Sequence, residues 1–119
     1  MTYDTHTLVH LCASVEWLSA RQTGEYRPPS LAEEGFIHLS SPQQVHLPAN
    51  RLFVGRRDLV LLCIDTRRVG SPIKWEPGVP TDPEAMLFPH LYGPVPVSAV
   101  TDVEEYLPGA DGTFAPLAT

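Results

Sequence analysis

Basic residues are scarce in this chain of 119 residues. It carries 8 lysines and arginines against 14 aspartates and glutamates, which gives a net charge of −6 with histidine neutral. A nonspecific nucleic-acid binder normally presents a basic stripe, and attachment to acidic lipid also needs clustered cations. The composition therefore disfavours both nonspecific nucleic-acid binding and attachment to a membrane.

Cysteines and long apolar runs are also few. Cys12 and Cys63 both lie within apolar stretches, which predicts reduced, buried thiols rather than a disulfide framework. No apolar stretch approaches the ~20 residues that a membrane span requires. Residues 1–6 lack the basic and apolar regions of a signal peptide. We therefore expect a cytoplasmic protein.

Proline is the residue type in excess, with 13 in the chain, about twice its usual share of roughly 5%. So many prolines favour short helices, edge strands and rigid loops over a helical bundle. The apolar fraction of 43% is enough for one core. We expect a single α+β domain over residues 1–119, of short strands with two or three small helices. Its ordered core should cover about residues 7–107, followed by a loose tail.

Local signals place these elements along the chain. Each of the three helices is predicted to begin at a capping serine, namely Ser14, Ser30 or Ser41. The third should run toward Phe53, with a kink or break at Pro48. Glycines 24 and 35 should end the first two helices. Strands are predicted over residues 7–12, 36–40, 59–64, 73–76 and 95–103, and residues 88–94 should form a rigid aromatic turn.

Strand alternation separates the side chains around His38. Ile37 and Leu39 share one face of the predicted strand, and His38 and Ser40 share the other. If the aliphatic pair faces the core, His38 and Ser40 line a different surface together. A helix beginning at Ser41 would also place its N-terminus and Gln43 beside His38, where an anionic ligand could bind.

Two further histidines each allow two interpretations. His10 lies mid-strand with Leu8 and Cys12 on its face, so it is either a hydrogen-bonded structural histidine or a functional residue. His90 lies in a proline-bounded segment, where Tyr92 could place a hydroxyl beside it. The alternative for His90 is an aromatic plug that closes the core.

Sequence signatures of metal and phosphate sites are missing. His10, His38 and His90 could converge, but no HExxH, CxxC or His-x-His spacing is present, so no metal site is predicted. Glycine-rich phosphate loops and a GxSxG elbow are also absent. The apolar surroundings of both cysteines disfavour a thiol nucleophile.

Two sequence blocks carry a family resemblance. They are Glu-Gly-Phe-Ile-His-Leu-Ser at residues 34–40 and Phe-Pro-His-Leu-Tyr-Gly at residues 88–93. With Gly24, Tyr26, Ser30, Gln43 and residues 59–65, the chain resembles the bacterial family called domain of unknown function 952, over about residues 10–103. That family resembles the ADP-ribosyltransferases and the RNA 2′-phosphotransferases in fold.

The resemblance implies positions for a nucleotide site. His10 would take the first-strand position that contacts the nicotinamide ribose, and His38 or Ser40 would take the second-strand position. Glu84 and His90 lie in the part of the chain where a third position is expected.

The first functional hypothesis is therefore an enzyme that takes NAD or a related nucleotide as a substrate. Its chemistry would be attack at the anomeric carbon of the ribose or on a 2′-phosphate, and the sequence assigns no further cofactor. The catalytic candidates are His38, His10 and His90, and the ligand-binding candidates are Tyr26, Ser30, Ser40, Gln43 and Tyr92. Phosphate ligands could come from Arg27, Arg51, Arg56 or Arg57.

Two alternatives stay open at this stage. One is a histidine acid–base enzyme that acts on a small organic metabolite in a biosynthetic pathway. The other is a binding module that holds a small molecule without chemistry. The acidic composition favours these two slightly over a nucleotide enzyme.

Overall fold

Strand β4 (Leu59–Asp65) forms the centre of the fold, since its continuous apolar run is buried along its whole length. The computed structural model describes residues 3–79, 81–82 and 84–117. In it, β4 pairs antiparallel with β1 (Thr7–Ala13) on one side and with β8 (Val100–Glu105) on the other. The predictions of strands in these three regions are confirmed.

A second antiparallel sheet carries the other two predicted histidines. Its strand order is β3 (Ile37–His38), β6 (Leu87–Leu91) and β5 (Ile73–Pro77). A separate short pair joins β2 (Glu25–Tyr26) to β7 (Val95–Pro96). The two larger sheets meet at a β-bridge between Val9 and Ser40, whose backbone N–H groups and carbonyls exchange two bonds of 2.8 Å. This junction brings β1 beside β3.

Three α-helices lie in the described residues: α1 (Ser14–Thr23), α2 (Pro29–Glu34) and α3 (His46–Leu52). Gly24 and Gly35 end the first two helices with φ of 89° and 88°, as predicted. The predicted cap at Ser30 is wrong. Pro28 precedes α2 and Pro29 occupies its first turn, so Ser30 lies inside the helix. The α+β class is confirmed.

The third helix begins later than predicted. Residues 42–45 form a turn, in which the Ser41 N–H donates to Oε1 of Gln44 and the Gln44 N–H donates to the Ser41 carbonyl. Because α3 starts only at His46, Pro48 falls in its first turn, where a missing N–H breaks no helical bond. The expected kink at Pro48 is therefore wrong, and no helix begins beside Gln43.

The segment predicted as an aromatic turn is the strand β6. Its Pro89 lies where β3 has already ended, so the lost donor removes only one bond of the ladder. The carbonyl of Pro89 still accepts from the Leu39 N–H at 3.0 Å. The extended backbone pairs His90 directly with His38. The predicted last strand is also divided, by a 3₁₀ turn over Val97–Ala99.

The core has two parts, one on each face of β4. Ile37, Leu62 and Leu91 belong to the part that packs between the two sheets, whereas Leu61 and Phe114 belong to the other. Both cysteines are buried without a disulfide, as predicted. No helix in the described part of the chain is long and apolar enough to cross a membrane.

The C-terminal residues pack against the second part of the core. The side chain of Asn50 donates to the carbonyl of Phe114 at 2.9 Å and accepts from its N–H at 2.7 Å. The hydroxyl of Tyr106 donates to the Ala115 carbonyl at 2.7 Å. These contacts anchor the segment that the sequence led us to expect as a loose tail, so that expectation is not met over residues 108–117.

Candidate functional site

A cleft of about 240 Å³ opens where the two larger sheets meet. Its inner wall contains His10 from β1, His38 and Ser40 from the β3 region, and His90 from β6. Its outer wall is formed by α3 and by residues near Gly78 and Phe88. The structure thus brings the three predicted histidines to one cleft, because the Val9–Ser40 bridge and the β3–β6 pairing place their strands side by side.

His10 uses both of its ring nitrogens within the protein. Nδ1 lies 2.6 Å from the carbonyl oxygen of His38, and Nε2 lies 2.8 Å from the hydroxyl oxygen of Tyr26. A carbonyl can only accept, so Nδ1–H donates to it and the Tyr26 hydroxyl donates to Nε2. Burial lowers the pKa of His10 to about 4. His10 is therefore neutral at pH 7 and holds no free nitrogen for a substrate.

Tyr26 supports His10 from behind the cleft. Tyr26 is a predicted ligand contact, but its side chain is buried and is not among the residues that line the cleft. Burial raises the pKa of Tyr26, which keeps its hydroxyl protonated as a donor to His10. His10 thus links β1 both to the β3 backbone and to Tyr26 of β2.

His90 is the most constrained of the three histidines. Its ring is buried and stacks on Phe36, with the ring centres 4.1 Å apart and the planes 16° from parallel. Nδ1 lies 2.8 Å from Oε1 of Glu76. Nε2 is buried and has no hydrogen-bond partner among the described residues. A buried ring nitrogen without a partner is uncommon, and at a cleft wall it offers a contact point for a ligand.

Glu76 holds His90 in this orientation and is itself held by Tyr92. The Tyr92 hydroxyl donates to Oε1 of Glu76 at 2.5 Å. The hydrogen bonds from Tyr92 and His90 lower the pKa of Glu76, and the bond to Glu76 raises the pKa of Tyr92. Glu76 is therefore ionised at neutral pH. Tyr92, a predicted ligand contact, is not in the cleft lining and instead positions Glu76.

His38 lies at the rim, beside His90. Its ring centre is 5.2 Å from that of His90 in an edge-to-face arrangement. Nε2 lies 2.9 Å from a carboxylate oxygen of Glu34, and the His38 side chain is 52% exposed. Ile37 and Leu39 are fully buried and His38 is half exposed, as predicted, whereas Ser40 is buried and Leu39 also lines the cleft.

Residues 11–103 match the protein family described as "Protein of unknown function (DUF952)". The chain belongs to this family. It is similar to protein CC0527 from Caulobacter crescentus, with 32% sequence identity to its crystal structure at a TM-score of 0.78, covering 92% of this chain and 93% of that chain. The solution NMR structure of the same protein gives a TM-score of 0.77. No curated protein matches this chain.

These matches name no ADP-ribosyltransferase, so that part of the family resemblance stays a prediction. Of the remaining predicted ligand contacts in this DUF952 chain, Ser40 lines the cleft, whereas Ser30 and Gln43 do not. The buried neighbour Gln44 points inward instead, where its amide donates to the Leu87 carbonyl at 3.2 Å.

Glu76 is a site residue that was not among the predicted catalytic or ligand-binding residues. Glu76 comes close to His90 because Lys74 pairs with His90 across the β5–β6 ladder, which places Glu76 two residues further along on the same face. The alternation of β5 was visible in the sequence, but its register with β6 was not. Of the four arginines considered as phosphate ligands, Arg51 lines the cleft and Arg27, Arg56 and Arg57 do not.

One other cluster brings potential metal ligands together in the described residues. Ligand atoms of Cys63, Asp102 and Glu104 lie within 4.8 Å of one another. The Cys63 thiol donates to Glu104 at 3.5 Å, and burial raises its pKa to about 12. This thiol is therefore protonated near neutral pH.

Proposed function

We propose that this DUF952 protein is an enzyme that transfers protons at the cleft, with His90 as the acid–base residue. The proposal is carried by one observation. An imidazole that lines the cleft is fixed through Nδ1 on an ionised glutamate, and its buried Nε2 has no partner among the described residues. This is the arrangement by which a carboxylate orients a histidine for acid–base catalysis.

The geometry assigns the proton on the His90 ring. Because Nδ1–H donates to the Glu76 carboxylate, Nε2 of the neutral ring carries a lone pair. That lone pair can accept a proton from a hydroxyl, amine or activated C–H group of a substrate. The adjacent Glu76 charge would stabilise the imidazolium that forms, and Tyr92 keeps Glu76 in place.

His38 can provide a second proton-transfer group. It lies at the rim with Glu34 on its Nε2, and its half-exposed ring can exchange protons with water. Its position between water and the His90 ring would let His38 relay protons between them. His10 has the different task of holding β1, β3 and Tyr26 together.

Substitution of His90 by glutamine should test this role. The expected loss of turnover is about 10²–10⁴-fold, the usual contribution of a positioned acid–base group. The substrate for this assay would be found by incubating the protein with a mixture of metabolites and following their consumption by mass spectrometry. Glu76→Gln should give a smaller loss and alter the pH profile, since it leaves the imidazole but removes the charge that orients it.

The matched control is His6→Gln, because His6 is exposed and lies outside the cleft. ¹⁵N spectra of the imidazoles give an answer that does not depend on finding a substrate. They should show the proton of neutral His90 on Nδ1 in the wild type. A ring protonated on Nε2, or full turnover in His90→Gln, would refute the proposal.

A second candidate is ribosyl or phosphoryl transfer with NAD or a related nucleotide as substrate. It is supported by His38 and Ser40, which line the cleft at one of the two strand positions that the family resemblance implies. The other position, His10, has both ring nitrogens bonded within the protein. Arg51 adds a cation at the cleft for a phosphate. The cleft volume of about 240 Å³ is below the roughly 300–1,000 Å³ of most ligand pockets. The dinucleotide would therefore have to extend beyond it.

Thermal melting with added nucleotides should decide this second candidate. A ligand at about 100 times its dissociation constant stabilises the native state by about 2.7 kcal/mol. NAD and ADP-ribose should therefore raise the melting temperature by several degrees, and nicotinamide alone should raise it less. An unchanged melting temperature at millimolar NAD and ADP-ribose would exclude these nucleotides as substrates.

A further inference from the structure

We propose that the substrate of this cleft is a small organic anion with an apolar body, whose carboxylate or phosphate is held by Arg51. The inference rests on the proposed function, because it names the substrate class of the same cleft. Three features carry it. They are the placement of Arg51, the lack of an acidic partner for Arg51 among the described residues, and the apolar hollow beside it.

Arg51 lies between two connected hollows. It is in the last turn of α3 and lines both the cleft with His90 and an adjoining hollow of about 250 Å³. The two hollows also share Pro48, Gly78 and Phe88, so they form one groove. A ligand group on the guanidinium would leave the rest of the molecule within reach of His90 on one side and the adjoining hollow on the other.

The guanidinium of Arg51 is available to a ligand. It makes no ion pair with any carboxylate of the described residues, whereas Arg27, Arg56 and Arg67 each bind a neighbouring acid. Apart from the three histidines, Arg51 is the one ionisable side chain among the described residues that line either hollow. The groove therefore has a local positive charge, and none of the described residues that line it carries a carboxylate. A planar guanidinium binds carboxylate and phosphate through paired hydrogen bonds.

The adjoining hollow is apolar and open to water. Leu47, Val79 and Met86 line it and are 42%, 41% and 55% exposed. Neighbouring exposed apolar side chains form a surface whose burial by an apolar group is energetically favourable. Together with Arg51, this surface fits a ligand that has a hydrocarbon chain or ring on one part and an anionic group on another.

Binding of matched probes to the full chain should test the inference. The probes are hexanoate, hexyl phosphate, hexanamide and acetate, titrated by NMR with the imidazole and methyl signals of the cleft as readout. Hexanoate, hexyl phosphate or both should bind about tenfold or more tightly than hexanamide, which is the discrimination expected of a charge-assisted hydrogen bond. Hexanoate should also bind more tightly than acetate, because only hexanoate reaches the apolar hollow.

Substitutions separate the two parts of the ligand site. Arg51→Gln should remove the preference for the anion over hexanamide, and Leu47→Gln should reduce the preference for hexanoate over acetate. Arg57→Gln is the control, because Arg57 is exposed and lines neither hollow. Tighter binding of hexyl phosphate than of hexanoate would identify a phosphate substrate, and the reverse order a carboxylate.

Equal binding of hexanamide and the anions, or an anion preference that survives Arg51→Gln, would overturn the inference. Its failure is separable from failure of the proposed function, because binding needs no turnover. Full turnover in His90→Gln together with Arg51-dependent anion binding would refute the catalytic role of His90 alone. Loss of turnover in His90→Gln without any anion preference would refute the substrate class alone.

Discussion

Ile37→Ala should lower the free energy of unfolding by about 2–5 kcal/mol, whereas His38→Ala should lower it by no more than about 1 kcal/mol. The two residues are adjacent in the chain but face opposite ways. Ile37 is fully buried between the two sheets, so its truncation leaves a cavity. His38 is half exposed, and its truncation removes one surface hydrogen bond with Glu34 and an edge-to-face contact with His90.

Urea denaturation of both variants at pH 7.5 would measure this difference, with Leu39→Ala as a second buried control. Ligand binding should show the reverse order, since His38 lines the cleft and Ile37 does not. If His38→Ala unfolds the protein as severely as Ile37→Ala, then His38 is a structural residue and the cleft loses one of its proposed proton carriers.

Acidification from about pH 6.5 to about pH 4 should remove about 3 kcal/mol of stability through His10 alone. Burial lowers the pKa of His10 to about 4 in the folded state, against 6.5 for an exposed histidine. Between these values the unfolded chain binds a proton that the folded chain excludes, so stability rises with pH. The stability that neutral His10 contributes is fully present above about pH 6.5 and is lost as the pH falls toward 4.

His10→Asn should flatten this part of the pH profile, because asparagine does not titrate. Its amide can still donate to the His38 carbonyl, although the Tyr26 hydroxyl loses its acceptor. The hydrogen bonds that lower the pKa values of Asp65 and Glu76 contribute stability that is lost only as the pH falls below the ordinary pKa values of 3.8 and 4.5. A wild-type profile that is already flat between pH 4 and 6.5, or an equal slope in His10→Asn, would contradict the prediction.

Local features of the fold could be predicted where neighbouring residues decide the outcome. Gly24 and Gly35 end their helices because glycine adopts a left-handed conformation at little cost. The serine caps were less successful. Ser41 and Gln44 do form one hydrogen bond of the expected capping box, but the chain closes a turn there and the helix begins at His46. Several local conformations satisfy the same polar groups, and tertiary packing selects among them.

The amino-acid sequence by itself determined the buried central strand, the opposite faces of Ile37 and His38, and the two blocks that place the chain in the DUF952 family. These depend on composition and on a two-residue period, which any extended chain obeys. Only the tertiary structure decided which histidine ring nitrogens already have partners within the protein. His10 has both nitrogens occupied by Tyr26 and the His38 carbonyl, and His90 is oriented by Glu76. These partners are 14 to 28 residues apart in the chain, and the registers of β1, β3, β5 and β6 bring them together.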